Sequence, residues 1–151
     1  MDALDRFVRA RSELVATVLR SSLDRQEASV CGEWDIKCVL AHIIGWDITF
    51  AEMLKMLKSA QDVPYRGDDI QGWNEAFVRQ REDKSWTEVL DEFVQAGALF
   101  VEEYGNLEND LWDRRFWEGK DATPAWVLRH NTKHYEEHWQ EIVHQLRERD
   151  P

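Results

Sequence analysis

The chain has little cysteine, little positive charge and no long apolar run, and each shortage removes a class of protein. Its only cysteines, Cys31 and Cys38, lie seven apart and outside any Cys-x-x-Cys pattern, so neither a disulfide framework nor a thiolate zinc site is suggested. Nineteen Lys and Arg against thirty Asp and Glu leave a net charge of −11. That is the wrong sign for a surface that coats phosphates, and no nucleic-acid partner is expected. No segment approaches the roughly 18 uninterrupted apolar residues of a membrane span. Met1 to Glu13 is charged at nearly every other position, unlike a signal peptide, so a cytoplasmic protein with no membrane partner is expected. Strand-like alternation, sequence repeats and low-complexity tracts are missing. So are a Gly-x-Ser-x-Gly element, a Gly-rich phosphate loop and a dinucleotide fingerprint.

What remains is a chain of 151 residues, 43% hydrophobic, with eight tryptophans. That length fits one domain, 1–151, able to bury roughly two thirds of the surface its unfolded chain exposes without cross-links. Apolar residues at helical spacing (Leu4, Phe7, Val8, Leu14, Val15, Val18, Leu19) predict a first helix over Leu4 to Leu23. Asp35 is a plausible N-cap for a second helix running from Ile36 to about Lys58. Ser59 to Gly72, with Pro64, Gly67 and Gly72, reads as a long crossover loop. A short helical piece carrying Ile70, Trp73, Phe77 and Val78 follows. Ser85 with Glu88 forms a capping box at the head of a third main helix, stopped by Gly105 and Asn106. After a second long connection, Leu107 to Ala122, Thr123 and Pro124 open a fourth main helix reaching about Arg147. The fold expected is all-α: a four-helix bundle with long crossover loops and a short extra helix before the third main helix, its site built from side chains on facing helices.

Three histidines carry the chemistry. His134 and His138 are spaced i, i+4, about 40° apart around a helix axis and about 6 Å apart along it, so their imidazoles can converge on one ion. His42, on the second helix, could supply a third position. Zinc and nickel accept neutral imidazole, and three protein ligands with one position left open is the pattern of a catalytic site. On the fourth helix His138 lies about 60° and His134 about 100° from the centre of the apolar stripe, on the border that suits a cleft wall. His130 lies further out and His144 points away. Cys38, one turn before His42, is left to core packing. Asp47, Glu136, Glu137 and Glu141 are near the histidines, and in a chain with thirty acidic residues none is singled out as orienting group or general base, so catalytic residues stay unassigned.

Trp34, Asp35, Ile36 and Lys37, then Val39, Leu40, Ala41, His42, Ile43 and Trp46, resemble the second-helix signature of the DinB/YfiT-like superfamily. Phe116, Trp117, Glu118 and Gly119, then Asn131 to His138, are similar to the closing motif of its ClbS/DfsB branch, as is Ile70 to Glu75 with its Trp-Asn element. The resemblance covers nearly the whole chain and implies that His42, His134 and His138 are the superfamily's three ligands for a divalent ion such as nickel or zinc. It further implies thiol-dependent transfer or hydrolysis, with self-resistance as an analogy of branch, because fold does not fix function.

Two functions of different class follow. The first is a metal-dependent hydrolase or thiol-dependent transferase acting on a small, electrophilic molecule, the ion acidifying a water or positioning a low-molecular-weight thiolate. Trp46 and Trp73 are its candidate substrate contacts and Asn74 a candidate amide donor. The alternative is a non-catalytic bundle that binds a small molecule or a metal. The aromatic count and aromatic-rich loops also suggest a homodimer.

Overall fold

The computed structural model describes residues 2–21, 32 and 34–148, and among these it is all-helical, without strands. Helix α1 spans Ala3–Arg20, with Asp2 as N-cap, and buries Phe7, Ala10, Leu14, Thr17 and Val18 along one stripe. The helix ends at Arg20, and Ser22 and Leu23, the remainder of the predicted span, lie outside the described residues. Ser21 is extended (φ −70°, ψ 137°), its backbone N–H and its hydroxyl both turned back onto the Val18 carbonyl.

Helix α2 spans Ile36–Lys58, and the Asp35 side chain accepts from Cys38 N–H as its cap. It is the central helix, buried on nearly every side from Ile36 to Leu57. Ala60, in the left-handed region (φ 54°), closes it: the N–H of Ala60 meets the Leu57 carbonyl and that of Gln61 meets the Met56 carbonyl. Helix α3 spans Ile70–Arg79, capped by Asp69, and α4 spans Trp86–Gly105 with the full Ser85–Glu88 capping box. A 3-10 turn, Asn109–Leu111, precedes α5, which spans Pro124–Glu148 and whose first turn accepts support from the Thr123 hydroxyl. Helix α2 packs chiefly on α4 and α1 chiefly on α5, while α3 lies on α2. Leu14, Ile43, Phe93, Phe100, Leu128 and Tyr135 are fully buried members of one contiguous hydrophobic cluster. No described helix is long and apolar enough to cross a membrane.

The two long connections pack on each other. Trp117 donates its indole N–H to the Val63 carbonyl (2.7 Å), and Tyr65 meets the Trp117 ring edge-on at 4.9 Å. Helix α3 is set down just as closely, because Gly45 on α2 lets the Phe77 ring lie against the helix backbone where any Cβ would collide with it. Gly45→Ala is therefore expected to destabilise the fold by roughly 1–3 kcal/mol, the cost of overpacking a filled core. Urea denaturation should show a lower midpoint at an unchanged slope.

Candidate metal centre

Helical spacing does the first part of the assembly. His134 and His138 stand one turn apart on α5, and their Nε2 atoms lie 3.0 Å apart. His42 comes from α2, 92 residues earlier, and places its Nε2 2.8 Å from that of His134 and 3.3 Å from that of His138. His42 and His138 are buried and His134 is half-buried. Trp34 lies against His42, ring centroids 4.8 Å apart.

The second nitrogens decide what these rings can do. His42 Nδ1 is 2.8 Å from the Val39 carbonyl, which can only accept, so Nδ1 carries the proton and Nε2 a lone pair. His138 Nδ1 is 2.7 Å from a carboxylate oxygen of Glu141, which places a proton on Nδ1 and turns Nε2 toward the other two rings. Burial, reinforced by the neighbouring His138, pushes the His42 pKa down to about 3; burial and then the adjacent histidines push that of His134 down to about 2. Both rings are therefore neutral at physiological pH. The Nε2 atoms of these two neutral rings face each other at 2.8 Å, with Nε2 of His138 3.3 Å from that of His42, an arrangement that a shared cation suits.

The spacing fits such an ion. Around a metal with bonds of about 2.0–2.1 Å, nitrogens stand roughly 2.9–3.4 Å apart for angles between about 90° and tetrahedral. Among the described residues the cluster contains these three histidines with no carboxylate or cysteine, a set that favours imidazole-seeking divalent metals over calcium or magnesium. Cys38 is half-buried and burial raises its thiol to about 11, so it remains a thiol. Three protein donors, one fewer than a closed structural site, leave coordination positions for a reactant.

Of the four nearby carboxylates, only Glu141 meets the triad. Glu136 pairs with Arg6 and Glu137 with Lys133, which turns both away. Asp47 is fully buried in a separate bridge between the same two helices, accepting from Asn131 Nδ2 (2.8 Å) and the Tyr135 hydroxyl (2.5 Å). Burial raises the Asp47 pKa to about 7, against the pull of those two donors and of Arg11. In the unfolded chain it titrates near 4, at roughly 3.9. Between those values the native state holds a proton that the unfolded state has released, so stability falls as pH rises from about 4 to about 7. Asp47→Asn is expected to flatten that slope, read as urea midpoints across the pH range.

The triad opens on a cavity of about 590 Å³ through His134, within the usual size of small-molecule sites. Trp46, Phe50 and Met53 of α2, Asn74 of α3, Trp126 and Val127 of α5, and Tyr65, Arg66, Trp117 and Lys120 of the two connections wall it. Trp46 and Asn74, both expected from the sequence, are joined here by an indole N–H to Oδ1 hydrogen bond of 2.6 Å. Trp73 lies behind the wall instead, packed on Phe77 and carrying the Arg66 guanidinium 4.4 Å from its ring centroid. His130 is exposed, as its angle on the helix predicts, yet stacks on Trp126 at the cavity edge. His144 is exposed and pairs with Glu148. Phe50 and Met53 were findable as the i+4 and i+7 continuation of the Trp46 face. Arg66 and Lys120 sit in loops, where no periodicity marks them.

Neither the curated proteins nor the solved structures yield a match to this chain. The family model described as the DinB superfamily matches residues 5–142, from the first turn of α1 to past the last histidine of the triad. The chain therefore belongs to the DinB superfamily.

Proposed function

We propose that this protein is a metal-dependent enzyme of the ClbS/DfsB branch, a four-helix bundle that acts on a small electrophilic molecule as a hydrolase or a thiol-dependent transferase. The observation that carries the reading is the triangle of three Nε2 atoms, 2.8–3.3 Å on a side, bordering an apolar cavity through His134. His42, His134 and His138 would hold the ion, with nickel or zinc as the metals their donor set suits. A divalent ion held there supplies Lewis acidity, polarising a substrate and easing loss of a proton from a water or a low-molecular-weight thiol at neutral pH.

The protein's own groups do the rest. The Val39 carbonyl and Glu141 hold two imidazoles in the tautomer that presents Nε2 and fix their planes. Asn74 orients the Trp46 indole so that its flat face forms the wall beside the triad, leaving the Asn74 amide group free to donate. Trp46, Phe50, Met53 and Val127 exclude water from the body of the reactant. Detoxification or self-resistance in the cytoplasm suits such a site, with a homodimer as the assembly, for which light scattering should give twice the chain mass of 17.9 kDa.

The test is turnover. Metal-loaded protein, with and without an added thiol, is expected to consume members of a panel of activated esters, epoxides and strained-ring electrophiles, and H42A/H134A/H138A to lose that activity. If loaded protein and the triple variant are equally inert, or equally active, the catalytic reading falls and a binding bundle is what remains.

A further inference from the structure

The cavity is apolar along its walls, but its two cations stand out against the charge of the whole chain. Arg66 and Lys120 both line it. In a protein with thirty acidic and nineteen basic residues, carboxylate partners are abundant: Arg6, Arg9, Lys55, Lys58, Arg81, Lys84, Arg115 and Lys133 all have one. Arg66 and Lys120, like Lys37, Arg79 and Arg129, have none among the described residues, and these two line the cavity. Asp121, the acidic residue on the cavity lining, is engaged by Arg115 at 3.0 Å, with its side chain in open solvent.

Both cations are nonetheless held in place. The Arg66 guanidinium is stacked on Trp73 and donates through Nη1 to the Thr49 hydroxyl at 2.9 Å, which leaves most of its five N–H groups unengaged. Lys120 Nζ sits 4.8 Å from the centroid of the Tyr65 ring, which itself packs on Trp117. Aromatic stacking holds each cation and offers no anion to neutralise it. Two positioned cations at the mouth of an apolar cavity, Arg66 half-buried and Lys120 exposed, form a receptor for negative charge, the planar Arg66 fork supplying the charge-assisted hydrogen bonds.

We propose that the cavity takes an amphipathic small molecule whose aromatic or alkyl body lies on Trp46, Phe50, Met53 and Trp126 and whose acidic group, a carboxylate or a sulfonate, is bound by Arg66 and Lys120. This deepens the enzymatic reading, since the acid group at the loop end would set the distance of the rest of the molecule from His134. It rests on that reading only for the identity of the occupant as a substrate; the anion preference itself needs no metal.

The test compares two probes with the same ring system, anilinonaphthalene sulfonate and uncharged phenylnaphthylamine, by their fluorescence on binding, with a second pair, dodecanoate and dodecanol, read by quenching of the cavity tryptophans. The acidic member of each pair is expected to bind about tenfold more tightly than its neutral partner. Arg66→Gln should bring the two within about twofold, and Lys120→Gln should narrow the gap partway, with far-UV circular dichroism and Tm confirming intact folds. Equal binding of the paired probes, or a preference that survives R66Q/K120Q, overturns the proposal. H42A/H134A/H138A separates the two readings. Retained anion preference in that variant supports this site whatever becomes of the metal, whereas loss of preference there with retention in R66Q/K120Q places the acid on the ion and refutes it.

Discussion

Replacing His138 by alanine is expected to weaken divalent-metal binding by about a hundred- to a thousandfold, the share of one ligand in a site whose whole binding energy is of the order of 10–16 kcal/mol. The same loss is expected for His42 and His134, because the three Nε2 atoms form one triangle and none can be replaced by a neighbour: Cys38 stays a thiol and Glu141 is on the far side of the His138 ring. Glu141→Gln should cost less, about 10–100-fold, since it removes the acceptor that orients His138 and raises its basicity while leaving the donor nitrogen in place. His144→Ala is the control. That ring is exposed and pairs only with Glu148, so competition titration with a chromophoric chelator should give an unchanged affinity. Equal affinity in His138→Ala and His144→Ala would remove the triad from the account.

Metal binding should also stabilise the whole fold strongly. Free ion at a thousand times its Kd adds about 4 kcal/mol to the native state. For a chain of this size that corresponds to a rise in Tm of roughly 8–16 °C. The reason it acts globally is where the ligands sit. Helix α2 carries the centre of the core and α5 packs mainly on α1, so the triad and the Asp47 bridge tie together two helices that otherwise meet little. A scanning calorimetry trace of the chelator-treated protein, titrated with nickel or zinc, should show the rise, and H42A/H134A/H138A should show none. A comparable rise in the triple variant would mean that the ion binds somewhere else.

Much of the fold could be read before any coordinates because its boundaries are written in local chemistry. Asp35, the Ser85–Glu88 pair and Thr123 with Pro124 each satisfy the first N–H groups of a helix, and the helices begin at those residues. The end of α1 at Arg20 is set by Ser21, which turns back onto the Val18 carbonyl, a local competition that periodicity does not register. The pair His134 and His138 was legible for a similar reason, since i, i+4 spacing is itself a geometric statement. His42 is a candidate third position from the residues alone, and the family resemblance is what singles out the three together, because the sequence does not say which face of α2 turns toward which face of α5.

The parts that stayed hidden depend on tertiary pairing. Asp47, Glu136, Glu137 and Glu141 are equivalent on paper, yet Tyr135, Arg6, Lys133 and His138 claim them one each. Arg66 and Lys120 are unremarkable loop residues until the folded chain sets both on a cavity wall, with no carboxylate partner among the described residues. Trp73 shows the converse. Its neighbour Asn74 faces the cavity, while the indole itself serves as the platform for Arg66.

The most direct test of the triad is the metal K-edge X-ray absorption spectrum of untagged protein loaded with one equivalent of nickel or zinc. The account predicts three imidazole shells with nitrogen at about 2.0–2.1 Å, and loss of imidazole scattering in H42A/H134A/H138A. A first shell made only of oxygen, or one containing sulfur at about 2.3 Å, would contradict it.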